Sequence, residues 1–231
     1  MRRIGLLPLA FAAVIAVGCD SNRTDTTTAT TSDPAAVGTA GEADRNKVSA
    51  ADKDFVNDLG IAGMAEIELG KLASERGGTE VKKFGKMMVD DHTVAGDKLK
   101  AIATQHNIAW PTALDDKHRD LRDKLAKLQG SEFDREYMSA MVDGHETVTG
   151  KLESRIDKDT LSKWKTETTD QVAGQKAKVE GKAISVMPER SDNAVTTSIN
   201  QWAADAYPTT QAHLSTAKEL NKGLSKRRTT N

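Results

Sequence analysis

From about residue 51 onward, apolar residues recur at alternating steps of three and four, the pattern of helices that each bury one stripe. Phe55, Leu59, Ala62, Leu69 and Ala73 form such a stripe over 52–74, with Glu66 at its centre and Glu68 turned to solvent. Gly77-Gly78 closes this helix and permits a tight reversal, and Thr79 suits the cap of the next. A second helix, 80–105, aligns Val81, Phe84, Gly85, Met88, Ala95, Leu99 and Ile102 on one face. His92 sits within that face, Asp91 at its edge and Asp90 outside it. Trp110-Pro111-Thr112 then breaks the helical pattern. Residues 107–130 read as a long connection containing a short helix, because Leu114, His118, Leu121, Leu125 and Leu128 recur at helical steps. Gly130-Ser131 ends the connection, with Ser131 as candidate cap.

A third helix from about 132 carries Phe133, Tyr137, Met141, Val148 and Leu152 on its stripe, with His145 among them. A weaker, very polar helical segment covers 159–184. It either continues the third helix or breaks from it near Asp157, and Pro188 ends it. The last helix, 193–224, aligns Ile199, Trp202, Ala206, Ala217, Leu220 and Leu224, with His213 near the centre of the stripe and Pro208 expected to kink it. The pattern thus predicts an all-α chain with one inward-facing polar residue on each of four helices: Glu66, His92, His145 and His213. The hairpin can be checked for level. Glu66 stands 11 residues before Gly77 and His92 stands 14 after Gly78. At ~1.5 Å per residue the two differ by about one turn, close enough for their side chains to meet.

The first 50 residues have another character. Residues 1–18 give a positive start at Arg2 and Arg3, then an apolar run from Ile4 to Val17, too short for a membrane span. Ala16-Val17-Gly18-Cys19 resembles a lipoprotein cleavage box, in which the cysteine is lipidated and becomes the new N-terminus. Residues 19–50 then form a Thr/Ala-rich tether with too little apolar surface to fold. The expected organisation is a leader at 1–18, lipidated Cys19 and its tether at 19–50, a helical bundle at 51–225 and a basic tail at 226–231. It predicts a lipid-anchored envelope protein with its domain in the periplasm. Cys19 is the only cysteine, so an intramolecular disulfide and cysteine metal ligands are excluded. Lys and Arg number 33 against 34 Asp and Glu. Loss of Arg2 and Arg3 with the leader would take the net charge from −1 to −3, which gives no reason to expect nucleic-acid binding.

Four blocks carry a family resemblance: GMAEIELGKLA at 63–73, VKKFGKMMVDDHT at 81–93, FDREYMSAMVDGHE at 133–146 and YPTTQAHLSTAKEL at 207–220. Their order resembles the bacterial domain-of-unknown-function family 4142, whose members are exported or envelope proteins with a ferritin-like bundle. The resemblance implies an up-down four-helix bundle, a long crossover between helices two and three, and shared roles for Glu66, Asp91, His92, His145 and His213. About 40 residues between the third and fourth blocks exceed what the family leads one to expect, which leaves the level of His213 against His145 open.

Ferritin-like di-iron chemistry needs Glu-x-x-His pairs. Val89, Val142 and Thr210 occupy the positions three before His92, His145 and His213, so that chemistry is not expected. No phosphate loop, GxSxG or HExxH is present either, and no enzyme activity is predicted. The Met87-Met88 and Met138-Met141 pairs read as core filling. His106 and His118 are expected to be exposed in or near the connection. Two readings of the polar cluster remain. In one, a non-enzymatic envelope lipoprotein with a structural, stress-related or partner-binding role uses the cluster as a metal-free polar lock. In the other, Glu66, His92, His145 and His213 bind a single zinc, copper, nickel or ferrous ion, with Asp91 supporting a ligand. Of the two, the sequence favours the lock.

Overall fold

The computed structural model describes residues 45–172 and 185–229. The expected leader, Cys19 and most of the tether lie outside these residues, as does 173–184 of the polar segment. Six helices are described: α1 (Ala50–Arg76), α2 (Thr79–Gln105), α3 (Asp116–Leu125), α4 (Gly130–Glu153), α5 (Lys158–Val172) and α6 (Ala194–Thr229). The fold is all-helical among the described residues, with one isolated bridge between Ile156 and Pro188. No helix among them is long and apolar enough to cross a membrane.

The caps explain where helices begin. Ser49 accepts the Asp52 N–H at 3.0 Å, starting α1 two residues before the apolar stripe suggests. Gly78, not Thr79, is the N-cap of α2, and its N–H is bound from outside by the carboxylate of Asp134 on α4 at 2.9 and 3.2 Å. Gly77 and Gly78 both have φ of −66°, so the reversal needs no left-handed residue. It needs room. A Cβ on Gly77 would lie 2.7 Å from Val81, and one on Gly78 2.8 Å from Asp134. The left-handed residue lies at the other end of α2, where Asn107 takes φ 54° just past the helix, a conformation Asn tolerates. The cap of α4 is Gln129 rather than Ser131.

The polar segment is a separate helix. The chain breaks at 154–157, and Asp157 accepts the Thr160 N–H at 3.0 Å to start α5. Asn193 caps α6 by accepting from Val195 and Thr196 at 2.9 and 3.1 Å. The helix runs without interruption through Pro208 and on to Thr229, so the expected basic tail begins as helix.

α1 and α2 form a close antiparallel hairpin. Gly70 and Gly85 face each other, and a Cβ on either would stand 2.7 Å from the other's carbonyl oxygen. α4 and α6 pair antiparallel in the same way, through Gln211 to Thr149 at 3.1 Å and Tyr207 to Glu153 at 2.9 Å. The apolar interior falls into two clusters. One gathers Phe55, Leu59, Leu99, Leu152, Ile199 and Trp202, and the other Leu69, Phe84, Met88, Phe133, Tyr137 and Met141. Every residue of the first cluster on α1 precedes Glu66, and every residue of the second on α1 follows it.

Candidate metal centre

Between those clusters the helices bring Glu66, His92, His145 and His213 together. Helical periodicity placed each on its stripe, and the hairpin and the α4–α6 pairing put them at one level. His145 is wholly buried, and Glu66 and His213 retain 5% and 3% of their surface. The three imidazole centroids stand 5.5 to 5.7 Å apart. The long spacer before α6 therefore does not displace His213 from the level of His145.

One nitrogen of each ring is bound. His92 Nδ1 lies 2.8 Å from Glu66 Oε2. His145 Nδ1 lies 2.9 Å from the Met141 carbonyl oxygen and 3.2 Å from Glu66 Oε1. His213 Nε2 lies 2.8 Å from Asp91 Oδ2. A carbonyl only accepts, so the proton of His145 sits on Nδ1, and the carboxylates fix the other two rings in the same manner. The remaining nitrogens, His92 Nε2, His145 Nε2 and His213 Nδ1, are buried and have no hydrogen-bond partner. In the neutral rings these are lone pairs, and ligand atoms of the three rings all lie within 4.8 Å of one another.

Electrostatics match this arrangement. Burial opposes the Glu66 charge, but the neighbouring His92 and His145 outweigh it and bring its pKa down to about 2. Burial also opposes a charge on His92, yet Glu66, by charge and hydrogen bond, raises its pKa on balance. At His213 burial wins and the pKa falls, despite the bond to Asp91. Glu66 is thus an anion with one oxygen bonded by His92 and the other 3.2 Å from His145 Nδ1.

Glu66, expected among the metal ligands, has its two oxygens 2.8 Å from His92 Nδ1 and 3.2 Å from His145 Nδ1. Asp91, expected to support a ligand, lies with its Oδ2 2.8 Å from His213 Nε2. The three histidines can hold a metal ion among the described residues. Metal-bound histidines usually give their other N–H to a carboxylate or carbonyl, the pattern seen on all three rings. A tetrahedral ion with metal–nitrogen bonds of about 2.0–2.1 Å would set the nitrogens roughly 3.3 Å apart.

The sequence reading missed the Met141 carbonyl, although its place four residues before His145 puts it on the same helical face. It also missed Tyr137, whose buried hydroxyl has no partner. Burial and the nearby Glu66 charge push that phenol well above its usual pKa. His106 and His118, expected exposed, are both half-buried. His106 caps α2, and His118 Nδ1 lies 2.6 Å from Asp115. Met88, Met138 and Met141 are buried core residues, as expected.

Two clefts approach the cluster. A groove of about 500 Å³ between α1 and α4 reaches Glu66 but none of the three clustered imidazoles. A cleft of about 210 Å³ between α2 and α6 is lined by Asp91, His92, Trp202, Ala206 and His213.

A family model, described as "Domain of unknown function (DUF4142)", matches residues 37–181. Glu66, Asp91, His92 and His145 fall inside the matched stretch, and His213 falls beyond it. No curated protein and no solved structure matches the chain.

Proposed function

The chain belongs to the DUF4142 family, and from that premise we propose that it binds one divalent transition-metal ion through His92 Nε2, His145 Nε2 and His213 Nδ1. One observation carries this reading: each of the three rings has one buried nitrogen without a partner and ligand atoms within 4.8 Å of the other two rings, while the opposite nitrogen of each ring is held by an acceptor. Leaving a buried polar atom unpaired costs about 1–3 kcal/mol, and a metal ion is the single partner that satisfies all three lone pairs at once. Neutral imidazole suits zinc, copper, nickel and ferrous iron. Storage, sensing or scavenging of such an ion is the role proposed, with no catalysis assigned.

The polar lock is the second reading. It is favoured by the bonds themselves, since Glu66 with His92 and His145, and Asp91 with His213, tie four helices at one level without a metal. Equilibrium dialysis with elemental analysis decides between them. Protein prepared without tags or added metal should take up about one ion per chain at micromolar zinc, copper or iron. Protein that stays metal-free under those conditions would leave only the lock.

We further infer a ferritin-like arrangement. α1 runs opposite to α4, through Lys151 to Asp58 at 2.7 Å and Arg155 to Asp52 at 2.6 Å. Combined with the two antiparallel pairs, this sets α2 and α4 parallel and requires the crossover that α3 occupies. We also propose that Cys19 is acylated and tethers the bundle to a membrane of the cell envelope, on the strength of the apolar run and the small residues before it. Labelling with a fatty-acid analogue tests this: label retained by Cys19→Ser would refute the anchor.

A further inference from the structure

The three-histidine reading leaves a question of coordination number, and the surroundings of the site answer it. Zinc-like ions take at least four ligands. Among the described residues only the three histidines form a metal-competent group. The Glu66 oxygens lie 2.8 Å from His92 Nδ1 and 3.2 Å from His145 Nδ1, and Asp91 Oδ2 is held by His213. The fourth position therefore falls to a group other than the described side chains, and the clefts show from which side it comes.

The α1–α4 groove ends on Glu66 and touches none of the three ligand rings. The α2–α6 cleft has His92 and His213 in its wall. Behind it lies a second, smaller space of about 40 Å³ that also borders His92 and Glu66. The outer cleft and the inner chamber share His92, Ala95, Trp202, Ala206 and Thr210. Beyond His92, the polar side chains on this shared boundary are already bonded. Trp202 Nε1–H donates to the Ala95 carbonyl at 3.1 Å, and the Thr210 hydroxyl donates to the Ala206 carbonyl at 3.1 Å. Leu59, Val148 and Leu152 complete an apolar chamber with no free donor for a large polar ligand. Its size sets the upper bound: space of this order holds roughly three waters.

Resting on the metal reading above, we propose that the bound ion keeps an exchangeable position facing the α2–α6 cleft. It takes a small donor of about three heavy atoms or fewer, with water as the resident ligand. The site is then an open one that exchanges a ligand with solvent, not a closed structural site. Access is controlled by the small side chains of Ala95 and Ala206, where a larger residue would plug the passage.

Cobalt(II)-loaded full-chain protein, titrated with sodium azide and followed by its visible ligand-field bands, tests this. Azide should shift the bands in a saturable way. Ala206→Phe should weaken the apparent azide affinity by about tenfold or more, about 1.4 kcal/mol, with cobalt affinity little changed. Ala95→Leu serves as a second plug should Ala206→Phe fail to give a folded protein by circular dichroism. Ala140→Leu, in the α1–α4 groove, should leave the azide response unaltered. Cobalt that binds but ignores azide would overturn the open position and leave the metal site standing. An azide response that survives both plugs, or that Ala140→Leu abolishes, would overturn the route. Failure of cobalt to bind at all would instead overturn the metal reading itself.

Discussion

Glu66→Gln separates a carboxylate that orients histidines from one that ligates metal. The substitution keeps shape and removes charge. The amide oxygen can still accept from His92 Nδ1, now 2.8 Å from Oε2. The amide NH₂ must then face His145 Nδ1, 3.2 Å from Oε1, where donor would meet donor. His145 keeps a fallback in the Met141 carbonyl at 2.9 Å, so its ring stays anchored. The damage is therefore one charge-assisted bond made neutral and one contact turned repulsive, with all three ligand nitrogens still present. Loss of such a supporting group typically costs 10–100-fold in metal affinity, about 1.4–2.7 kcal/mol. Competition titration against a chromophoric chelator measures the change, and X-ray absorption of the loaded protein counts the ligands. The expected result is weakened binding with the same three imidazoles around the ion. Unchanged affinity would refute the orienting role. A loss beyond about 10³-fold, with an oxygen ligand gone from the coordination shell, would restore Glu66 as a ligand.

Three further outcomes follow from other parts of the structure. Asp91→Asn should also weaken metal binding by about 10–100-fold through the His213 ring, but should lower the melting temperature less than Glu66→Gln, because Asp91 is half-exposed. Asp52 bonds to Ser49, Thr196 and Arg155, which overcome the opposing effect of burial and lower its pKa below 3.8 in the fold. Its contribution to stability is therefore complete above the unfolded pKa and is lost as pH falls below 3.8 through the depressed value; in urea titrations, Asp52→Asn should flatten that part of the acid limb, and an unaltered limb would refute the assignment. Gly85→Ala would place a methyl 2.7 Å from Ala73 Cβ and from the Gly70 carbonyl, and should destabilise by about 1–3 kcal/mol in chemical unfolding; a neutral result would show that α1 and α2 can part without cost.

Much of the fold was legible because its signals are local. Stripe spacing located every described helix, since burial against neighbours requires the apolar positions to repeat near 3.6 residues. Glu66 and His92 could be paired from their spacing alone because a two-glycine reversal fixes hairpin register. What could not be read depended on partners distant in sequence. The N-cap of α2 is completed by Asp134, 56 residues away, so Thr79 looked the better cap on local grounds. Ser131 was a reasonable cap by residue type, but Gly130 turns to φ 55° and the cap falls on Gln129, two residues earlier. A carboxylate among three histidines looks like a fourth ligand in sequence, and only the distances reveal that its oxygens lie against His92 and His145.

The same distances alter the balance between lock and metal site. Register is secured by the bonds from Glu66 to His92 and His145 and from Asp91 to His213. A lock needs nothing more, and each extra unpaired nitrogen only adds cost. Yet three such nitrogens are buried at one level, between an apolar cluster around Trp202 and another around Tyr137. At about 1–3 kcal/mol each, they weigh heavily against the roughly 5–15 kcal/mol that holds a domain together. The surplus of unpaired lone pairs, more than the hydrogen bonds, is what the lock leaves unexplained and a bound ion accounts for. The metal-free chain should accordingly be weakest at this level, and binding should slow amide exchange most in the turns of α2 and α6 that carry His92 and His213.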